Sequence, residues 1–224
     1  MAEAERFSQL CREVQNWPSR EQREPSQEKT EQADMKIQAW VAEYLERQKL
    51  AIEAIPADLV AGLAAMLQDA GRSGRRIFVC GNGGNAANAS HFATDLGKGA
   101  SDVAPQRFKV LSLADNVSWL TAIGNDYSFD DVFVRQLSNH AQKDDLLILS
   151  SVSGDSPNLV AAAEWGRDHG LKTVGLVGGR RGRLSGIVDR VVVIDDTHYG
   201  RVEDCQMMVL HMLCYAIIEG AVGP

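Results

Sequence analysis

Cysteine is scarce in this sequence, and positive charge is in deficit. Only 4 of the 224 residues are cysteines, and no two of them have the C-x-x-C spacing of common zinc or redox motifs. Such sparse cysteines are typical of reduced thiols in a cytoplasmic protein. Lysine and arginine number 23 against 30 aspartates and glutamates, a formal net charge of −7. A sequence-independent nucleic-acid binder needs a basic surface, so we expect no nucleic-acid partner.

Long apolar runs are also missing. No run approaches the roughly 20 residues that span a bilayer, and the amino terminus lacks the basic-then-apolar pattern of a signal peptide. We therefore expect a cytoplasmic protein with no membrane partner. Hydrophobic residues nevertheless make up 45% of the chain, which is enough for one globular domain with a buried core.

The first 30 residues differ in character from the rest of the chain. They are polar and charged, and Pro18 and Pro25 interrupt any long helix there. We predict a solvated extension over residues 1–30, with an arm that contacts another subunit as the alternative, and one folded domain over residues 31–224. Apolar residues recur at helical spacing over residues 31–49 and again over 57–70, which predicts two helices at the start of this domain.

Beyond residue 75, short apolar runs alternate with helical patterns. Five runs have the pattern of buried strands: RIFVCG, FKVLSLA, DLLILSSVSG, KTVGLVGG and DRVVVID. Helical patterns separate most of them, and a long apolar helix ends the chain. Continuous apolar strands between helices are typical of a parallel sheet that is covered on both faces. The sequence therefore predicts an α/β fold with a central parallel sheet.

Two loops that follow predicted strands are rich in groups that bind anions. Ligands of an open parallel sheet bind beyond the carboxyl ends of its strands. The first loop, GNGGNAAN, has glycines that allow close backbone approach, and it precedes a helix with free N–H groups. It matches neither the dinucleotide-binding nor the Walker pattern. A tight strand–helix turn is the alternative to a binding loop.

The second loop is SSVSGDSPN, which we call the serine loop (residues 150–158). Its hydroxyls, together with the amides of the helix that follows, can bind a phosphate dianion without a lysine. The alternative is a capped helix start with Asp155 or Ser156 as the N-cap. Two such loops after two strands of one sheet favour a phosphate site over two unrelated turns.

These loops, with HFATD on the next helix and GND at residues 124–126, resemble the sugar isomerase (SIS) fold. Within it they are most similar to the phosphoheptose isomerase family, from about residue 35 to residue 220. The resemblance implies a three-layer α/β sandwich and a homotetramer with sites at subunit interfaces. It also implies an enzyme of heptose biosynthesis that interconverts sedoheptulose 7-phosphate and D-glycero-D-manno (or altro)-heptose 7-phosphate through an enediol.

The resemblance further implies which residues bind the substrate. They lie in the first loop, after the second strand, in the serine loop and on the last helix: Asn82, Gly83, Gly84, Asp115, Asn116, Ser151, Val152, Ser153, Ser156 and Glu203. Their chemistry fits this role, because hydroxyls and amides hold phosphate, and Asp and Asn side chains hydrogen-bond sugar hydroxyls.

Four positions match the metal ligands of the family: His91, Asp95, Glu203 and His211. The family assignment makes Asp95 the catalytic base and His211 its acid/base partner. Residues four apart share a helix face, so His91 and Asp95 can converge, and positions 203 and 211 also share a face. Four N/O ligands suit zinc, which we expect once per subunit.

Three positions depart from the family pattern. Asp95 replaces a glutamate, Glu203 replaces a glutamine, and Asn85 stands where serine is more common. These differences leave two alternatives open, namely an isomerase of another sugar phosphate and a non-catalytic phosphosugar-binding or regulatory SIS protein. Such non-enzymes tend to lack the histidine and carboxylate that His211 and Asp95 provide, so the isomerase is favoured.

Overall fold

The computed structural model describes residues 27–222, without the side chains of residues 27–31 and 33. The chain divides into two compact units, residues 1–47 and residues 48–224. Most of the predicted extension over residues 1–30 lies outside the described residues. The boundary between extension and domain therefore stays a prediction.

The described part of the first unit is helical. It belongs to helix α1, Gln27–Glu53, which confirms the helix predicted over residues 31–49. Glu43 and Arg47 form an ion pair of 2.7 Å between successive turns of this helix. Several apolar side chains of α1 are exposed, among them Met35, Ile37 and Leu45.

The second unit is built around five strands, each of which matches one of the five predicted runs. The strands are β1 Arg76–Gly81, β2 Lys109–Ser112, β3 Leu146–Ser151, β4 Lys172–Gly178 and β5 Arg190–Ile194. The remaining helices are α2 Ala57–Arg72, α3 Gly84–Thr94, α4 Ser101–Val103, α5 Val117–Asp126, α6 Val134–His140, α7 Pro157–Asp168 and α8 Tyr199–Ile218. A π-helical segment, Asp95–Ala100, and two 3-10 turns, Phe129–Asp131 and Arg183–Gly186, complete the unit.

The sheet is entirely parallel, in the order β2-β1-β3-β4-β5. The chain passes from β1 to β2 on one side and then returns to β3 on the other side of β1. Ligands of such sheets bind at this reversal, outside the carboxyl ends of the strands. Gly81 of β1 pairs with Ser150 of β3 at this edge, so the first loop and the serine loop leave the sheet side by side.

Apolar side chains cover both faces of the sheet, which explains why the strands are continuously apolar. On β3, Leu146 and Ile148 pack in one layer with residues of α2, α3 and α8. Leu147 and Leu149 point to the other layer, which contains residues of α5, α6 and α7. The second unit therefore has the three-layer α/β architecture that the family resemblance implied.

The structure also bears on two expectations from composition. Among residues 27–222, no single helix is long and apolar enough to cross a membrane, although Asp34–Glu53 and Ala57–Arg72 pass that test of length and composition as a bent pair. The three described cysteines, Cys80, Cys205 and Cys214, are free and buried. Burial raises the pKa of Cys214 to about 12, so this thiol stays protonated and packs as an apolar side chain.

Candidate functional site

A pocket of about 70 Å³ lies at the carboxyl edge of the sheet, between the first loop and the serine loop. Polar side chains dominate its lining, and six of the ten lining residues were predicted to bind substrate. The six are Asn82, Ser151, Val152, Ser153, Ser156 and Glu203. The other four are Asn85, Ser150, Leu159 and Tyr199.

The serine loop brings three hydroxyls together. The Oγ atom of Ser151 lies 3.5 Å from that of Ser153 and 3.3 Å from that of Ser156. Ser156, one of the two N-cap candidates, is the N-cap residue of α7, but its side chain makes no capping hydrogen bond. Its hydroxyl therefore remains on the pocket side with that of Ser151. Hydroxyl groups can rotate to donate to an anion, so this cluster suits a phosphate group.

Backbone contacts hold the serine loop in place. Gly154 has a φ of +72°, a conformation that favours glycine. Its N–H donates to Ser151 Oγ at 3.1 Å, and its carbonyl accepts from Leu184 N at 3.0 Å. The Asp155 carboxylate accepts from Arg183 N at 2.8 Å. The segment after β4 thus buttresses the loop that follows β3.

A pair of amide side chains joins the first loop to α7. Asn82 and Asn158 exchange two hydrogen bonds of 2.9 Å, each donating Nδ2 to the Oδ1 of the other. Asn158 is only 1% exposed, so this pair is sheltered from water. Sequence reasoning did not single out Asn158, although it is the last residue of the serine-loop motif.

Glu203 of α8 packs against the first residue of α3. A Cβ atom on Gly84 would lie 2.7 Å from Glu203 Cδ, so a glycine at position 84 lets the carboxylate approach. Asn88 Nδ2 donates to the Glu203 carbonyl oxygen at 3.1 Å, which ties the two helices together. Burial, and secondarily the nearby Asp204 carboxylate, raises the pKa of Glu203.

Three of the four predicted metal ligands meet at a second point. Asp95 Oδ2 lies 3.5 Å from His91 Nε2 and 3.6 Å from His211 Nε2. The ligand atoms of all three residues lie within 4.8 Å of one another. His91 lies in the last turn of α3, Asp95 is the first residue of the π-helical segment, and His211 lies on α8. Such π-helical segments are frequent at functional sites.

The spacing of these donors fits zinc. Ligand atoms bound tetrahedrally at about 2.0–2.2 Å lie about 3.4 Å from one another. The two distances from Asp95 Oδ2, 3.5 and 3.6 Å, need almost no adjustment to reach that value. Two imidazoles and one carboxylate leave a fourth tetrahedral position for water or substrate, as in catalytic zinc sites.

Glu203 is not part of this cluster in a single chain. An α-helix rises about 1.5 Å per residue, so Glu203 and His211 lie about 12 Å apart along α8. Glu203 faces the start of α3 at Gly84, whereas His211 faces the end of α3 at His91. Both side chains therefore contact the same neighbouring helix, at opposite ends, and Glu203 as a metal ligand stays a prediction.

The remaining predicted residues lie outside the pocket lining. Asp115 accepts a hydrogen bond from the Ser90 hydroxyl of α3. Asn116 is the N-cap of α5, and its Oδ1 accepts from Trp119 N at 3.0 Å. Both follow β2, on the other side of β1 from the serine loop. Gly83 is the N-cap of α3 and has a φ of +58°.

The comparisons with known proteins agree with this geometry. A family model described as SIS domain matches residues 39–178. The phosphoheptose isomerase of Nitratiruptor sp. is 40% identical over 145 residues, which is 65% of this chain and 77% of that protein. This chain belongs to the phosphoheptose isomerase family of SIS domain proteins. Another member, from Rhodospirillum rubrum, is 36% identical over 166 residues, 74% of this chain and 87% of its own length.

Solved structures of the family have the same fold. The phosphoheptose isomerase GmhA from Neisseria gonorrhoeae has a TM-score of 0.75 and 27% identity, covering 84% of this chain and 99% of its own. The phosphoheptose isomerase from Francisella tularensis has a TM-score of 0.76 and 26% identity, with coverages of 84% and 98%. The likeness extends over nearly the full length of both proteins.

Proposed function

We propose that this protein is a phosphoheptose isomerase, which interconverts sedoheptulose 7-phosphate and D-glycero-D-manno (or altro)-heptose 7-phosphate. The observation on which this depends is the Asp95 carboxylate held between the imidazoles of His91 and His211. A carboxylate and histidines in one cluster supply acid/base chemistry that a protein with a purely binding role does not need. The curated relatives at 34–40% identity are named phosphoheptose isomerases.

The hydroxyl pocket is the proposed site of the substrate phosphate. None of its lining residues is basic, so hydroxyls and amides would hold the anion. In this assignment Ser151, Ser153 and Ser156 contact the phosphate with the backbone at Val152, and Asn82 contacts it from the first loop. Gly83 and Gly84 allow close approach, while the remaining predicted residues, Asp115, Asn116 and Glu203, would hydrogen-bond sugar hydroxyls.

The pocket and the histidine cluster lie at opposite ends of the contact between α3 and α8, which suits a substrate whose phosphate and reacting carbons are far apart. Its phosphate is on C7, whereas the carbons that react, C1 and C2, are at the other end of the sugar. The pocket residue Glu203 and the cluster residue His211 lie about 12 Å apart along α8. A substrate with its phosphate in the pocket can therefore present C1 and C2 toward Asp95.

The proposed reaction is a proton transfer between these two carbons. Asp95 removes a proton from C1 of the ketose to give an enediol and returns a proton to C2, which leaves the aldehyde at C1. His211 moves the proton between the two oxygens. General acid/base groups of this kind contribute about 10²–10⁴ in rate.

Zinc is the proposed metal, one per subunit, with His91, Asp95 and His211 as its ligands. Bound zinc would polarise the substrate carbonyl and stabilise the negative charge of the enediolate. Asp95 can serve as ligand and base because a carboxylate has two oxygens with about four lone-pair sites. Glu203 is assigned to the substrate pocket and not to the metal, because its carboxylate packs at Gly84.

A homotetramer with active sites at subunit interfaces is the proposed assembly. Helix α1 exposes a row of large apolar side chains: Met35, Ile37, Trp40, Val41 and Leu45. Exposed apolar patches of this kind are typical of protein–protein contacts. Light scattering on the purified chain tests the tetramer. We also propose a cytoplasmic location, which suits free thiols such as Cys205.

Incubation of the purified full chain with sedoheptulose 7-phosphate tests the proposed function. We expect an aldoheptose 7-phosphate to form, less of it after treatment with a chelator, and recovery when zinc is added. Conversion of a different ketose phosphate but not of this one would favour the other isomerase. Binding without any conversion would favour a non-catalytic SIS protein.

A further inference from the structure

Ser150 occupies a position on β3 where the strand pattern calls for an apolar side chain. Alternate residues of a strand point to the same face, so Ser150 shares a face with Leu146 and Ile148. The side chains of Leu146 and Ile148 belong to the apolar layer that packs against α3 and α8. Val152, two positions further on, belongs to the same layer. Ser150 therefore places a hydroxyl in an otherwise apolar row.

The hydroxyl of Ser150 has no hydrogen-bond partner among the residues that the structure describes. The residue is only 1% exposed, so bulk water does not satisfy this group either. A buried hydroxyl without a partner lowers stability, and an alanine would fill the same place without that loss. Packing alone therefore gives no reason for a serine here.

The same residue is among those that line the candidate substrate pocket. In contrast, the neighbouring serine hydroxyls have partners, since Ser151 Oγ lies near Ser156 Oγ and accepts from Gly154 N. The lining also includes Asn85, which is 2% exposed, and Glu203 of α8. Ser150 is thus a sheltered polar group that borders a polar cavity and has no partner in the protein.

We infer that Ser150 is a further substrate-binding residue, whose hydroxyl hydrogen-bonds an oxygen of the sugar phosphate bound in the pocket. This inference rests on the proposed function for the identity of the ligand. The unpaired hydroxyl lowers the stability of the free protein. Its hydrogen bond to the bound ligand increases the affinity for that ligand. Ser150 was not among the binding residues predicted from the sequence, because the family resemblance pointed to Ser151, Ser153 and Ser156 of the serine loop.

The test compares Ser150→Ala with Thr173→Val in the full chain. Thr173 is also a buried hydroxyl residue of this sheet, but it lies at the opposite, amino-terminal edge and is fully bonded. Its Oγ1 donates to Asp189 Oδ2 and accepts from Asp189 N, both at 2.9 Å. Ser150→Ala therefore removes a hydroxyl without a protein partner, and Thr173→Val removes a hydroxyl that has one.

Calorimetric titration with sedoheptulose 7-phosphate and thermal unfolding give the two readouts. For Ser150→Ala we expect Kd to rise by about 5- to 30-fold, while Tm stays within about 2 °C of wild type or increases. For Thr173→Val we expect an unchanged Kd and a Tm several degrees lower. Titration with inorganic phosphate then locates the contact. A parallel loss of affinity places Ser150 at the phosphate, and an unchanged value places it at the sugar; either result supports the inference.

Failure of the inference can be distinguished from failure of the proposed function. If wild type converts sedoheptulose 7-phosphate and Ser150→Ala binds it equally well, the inference is overturned and the function stands. If wild type binds inorganic phosphate but does not convert the heptose, the function fails; a loss of affinity of Ser150→Ala for either compound then still supports the inference, and unchanged affinity for both overturns it. A large fall in Tm for Ser150→Ala, or a wild type that binds neither compound, overturns the inference.

Discussion

Replacement of Asp95 by asparagine should abolish most turnover and leave the fold intact. The substitution keeps the shape of the side chain but removes its charge and its ability to accept a proton. Asp95 Oδ2 is within 3.6 Å of both imidazoles, so one change affects the proposed base and the proposed metal site together. Loss of the base alone should lower kcat by about 10²–10⁴. Loss of the metal would lower it further.

The stability of Asp95→Asn should differ little from that of wild type. Asp95 is 24% exposed and its partners are two partly exposed histidines. Exposed pairs of this kind contribute about 1 kcal/mol or less, which corresponds to a Tm change of about 2–4 °C in a chain of this size. A low activity in a folded protein would therefore reflect the chemistry of position 95.

Steady-state kinetics, zinc content and thermal unfolding should be measured on the same preparations. Asp102→Asn is the matched control, because Asp102 pairs with Arg107 at 3.0 Å on the surface and takes no part in the site. We expect wild-type kcat and zinc content for Asp102→Asn. If Asp95→Asn retained more than about a tenth of the wild-type kcat, the assignment of Asp95 as the base would be refuted, since such groups contribute at least about 100-fold.

Three further substitutions test the surroundings of the site. Glu203→Gln should raise the free energy of unfolding at neutral pH, because burial raises the pKa of Glu203 and so disfavours its charged form in the folded state. Urea unfolding at several pH values should show that this gain vanishes below the ordinary glutamate pKa of about 4.3. Equal gains at all pH values would contradict this. Asp196→Asn should cost about 3 kcal/mol, because it breaks a largely buried pair with Arg201. Arg201 holds the pKa of Asp196 at about 2. The loss in free energy of unfolding of Asp196→Asn relative to wild type, measured at decreasing pH, should therefore shrink as the pH falls from about 4 toward that value. A loss that does not depend on pH would point to another cause. Gly84→Ala should raise KM, because the added methyl group displaces the Glu203 carboxylate. The same substitution should leave KM unchanged when Glu203 is already alanine. Additive effects of the two substitutions on KM would disprove the contact.

The architecture was predictable because its strands are buried on both faces. RIFVCG, for example, coincides with β1, and the run DLLILSSVSG contains β3. The bounds of the short helix α6, Val134–His140, were not predictable, since it offers only two turns and few apolar positions. The π-helical segment that begins at Asp95 was predicted as ordinary helix, because a one-residue change in hydrogen-bond register leaves little trace in apolar periodicity.

The candidate site was predictable where a motif concentrated it in one stretch of chain. The serine loop and the pair His91 and Asp95 are of this kind. The separation of Glu203 from the histidine cluster was not predictable, since spacing along a helix gives a shared face but not the distance to a side chain on another helix. Ser150 and Tyr199 were missed for another reason: their place in the pocket depends on how β3 and α8 meet at the sheet edge.

The measurement that tests the central claim most directly is the conversion of sedoheptulose 7-phosphate in D₂O, followed by NMR. In transfer through an enediol, the base carries the proton after it leaves C1 and before it reaches C2. A carboxylic acid exchanges its proton with solvent during that time, so deuterium from D₂O is delivered to C2. The enediol mechanism predicts an aldoheptose 7-phosphate that contains deuterium at C2, formed by wild type and by Asp102→Asn but not by Asp95→Asn. Absence of this product with wild-type protein loaded with zinc would contradict the account.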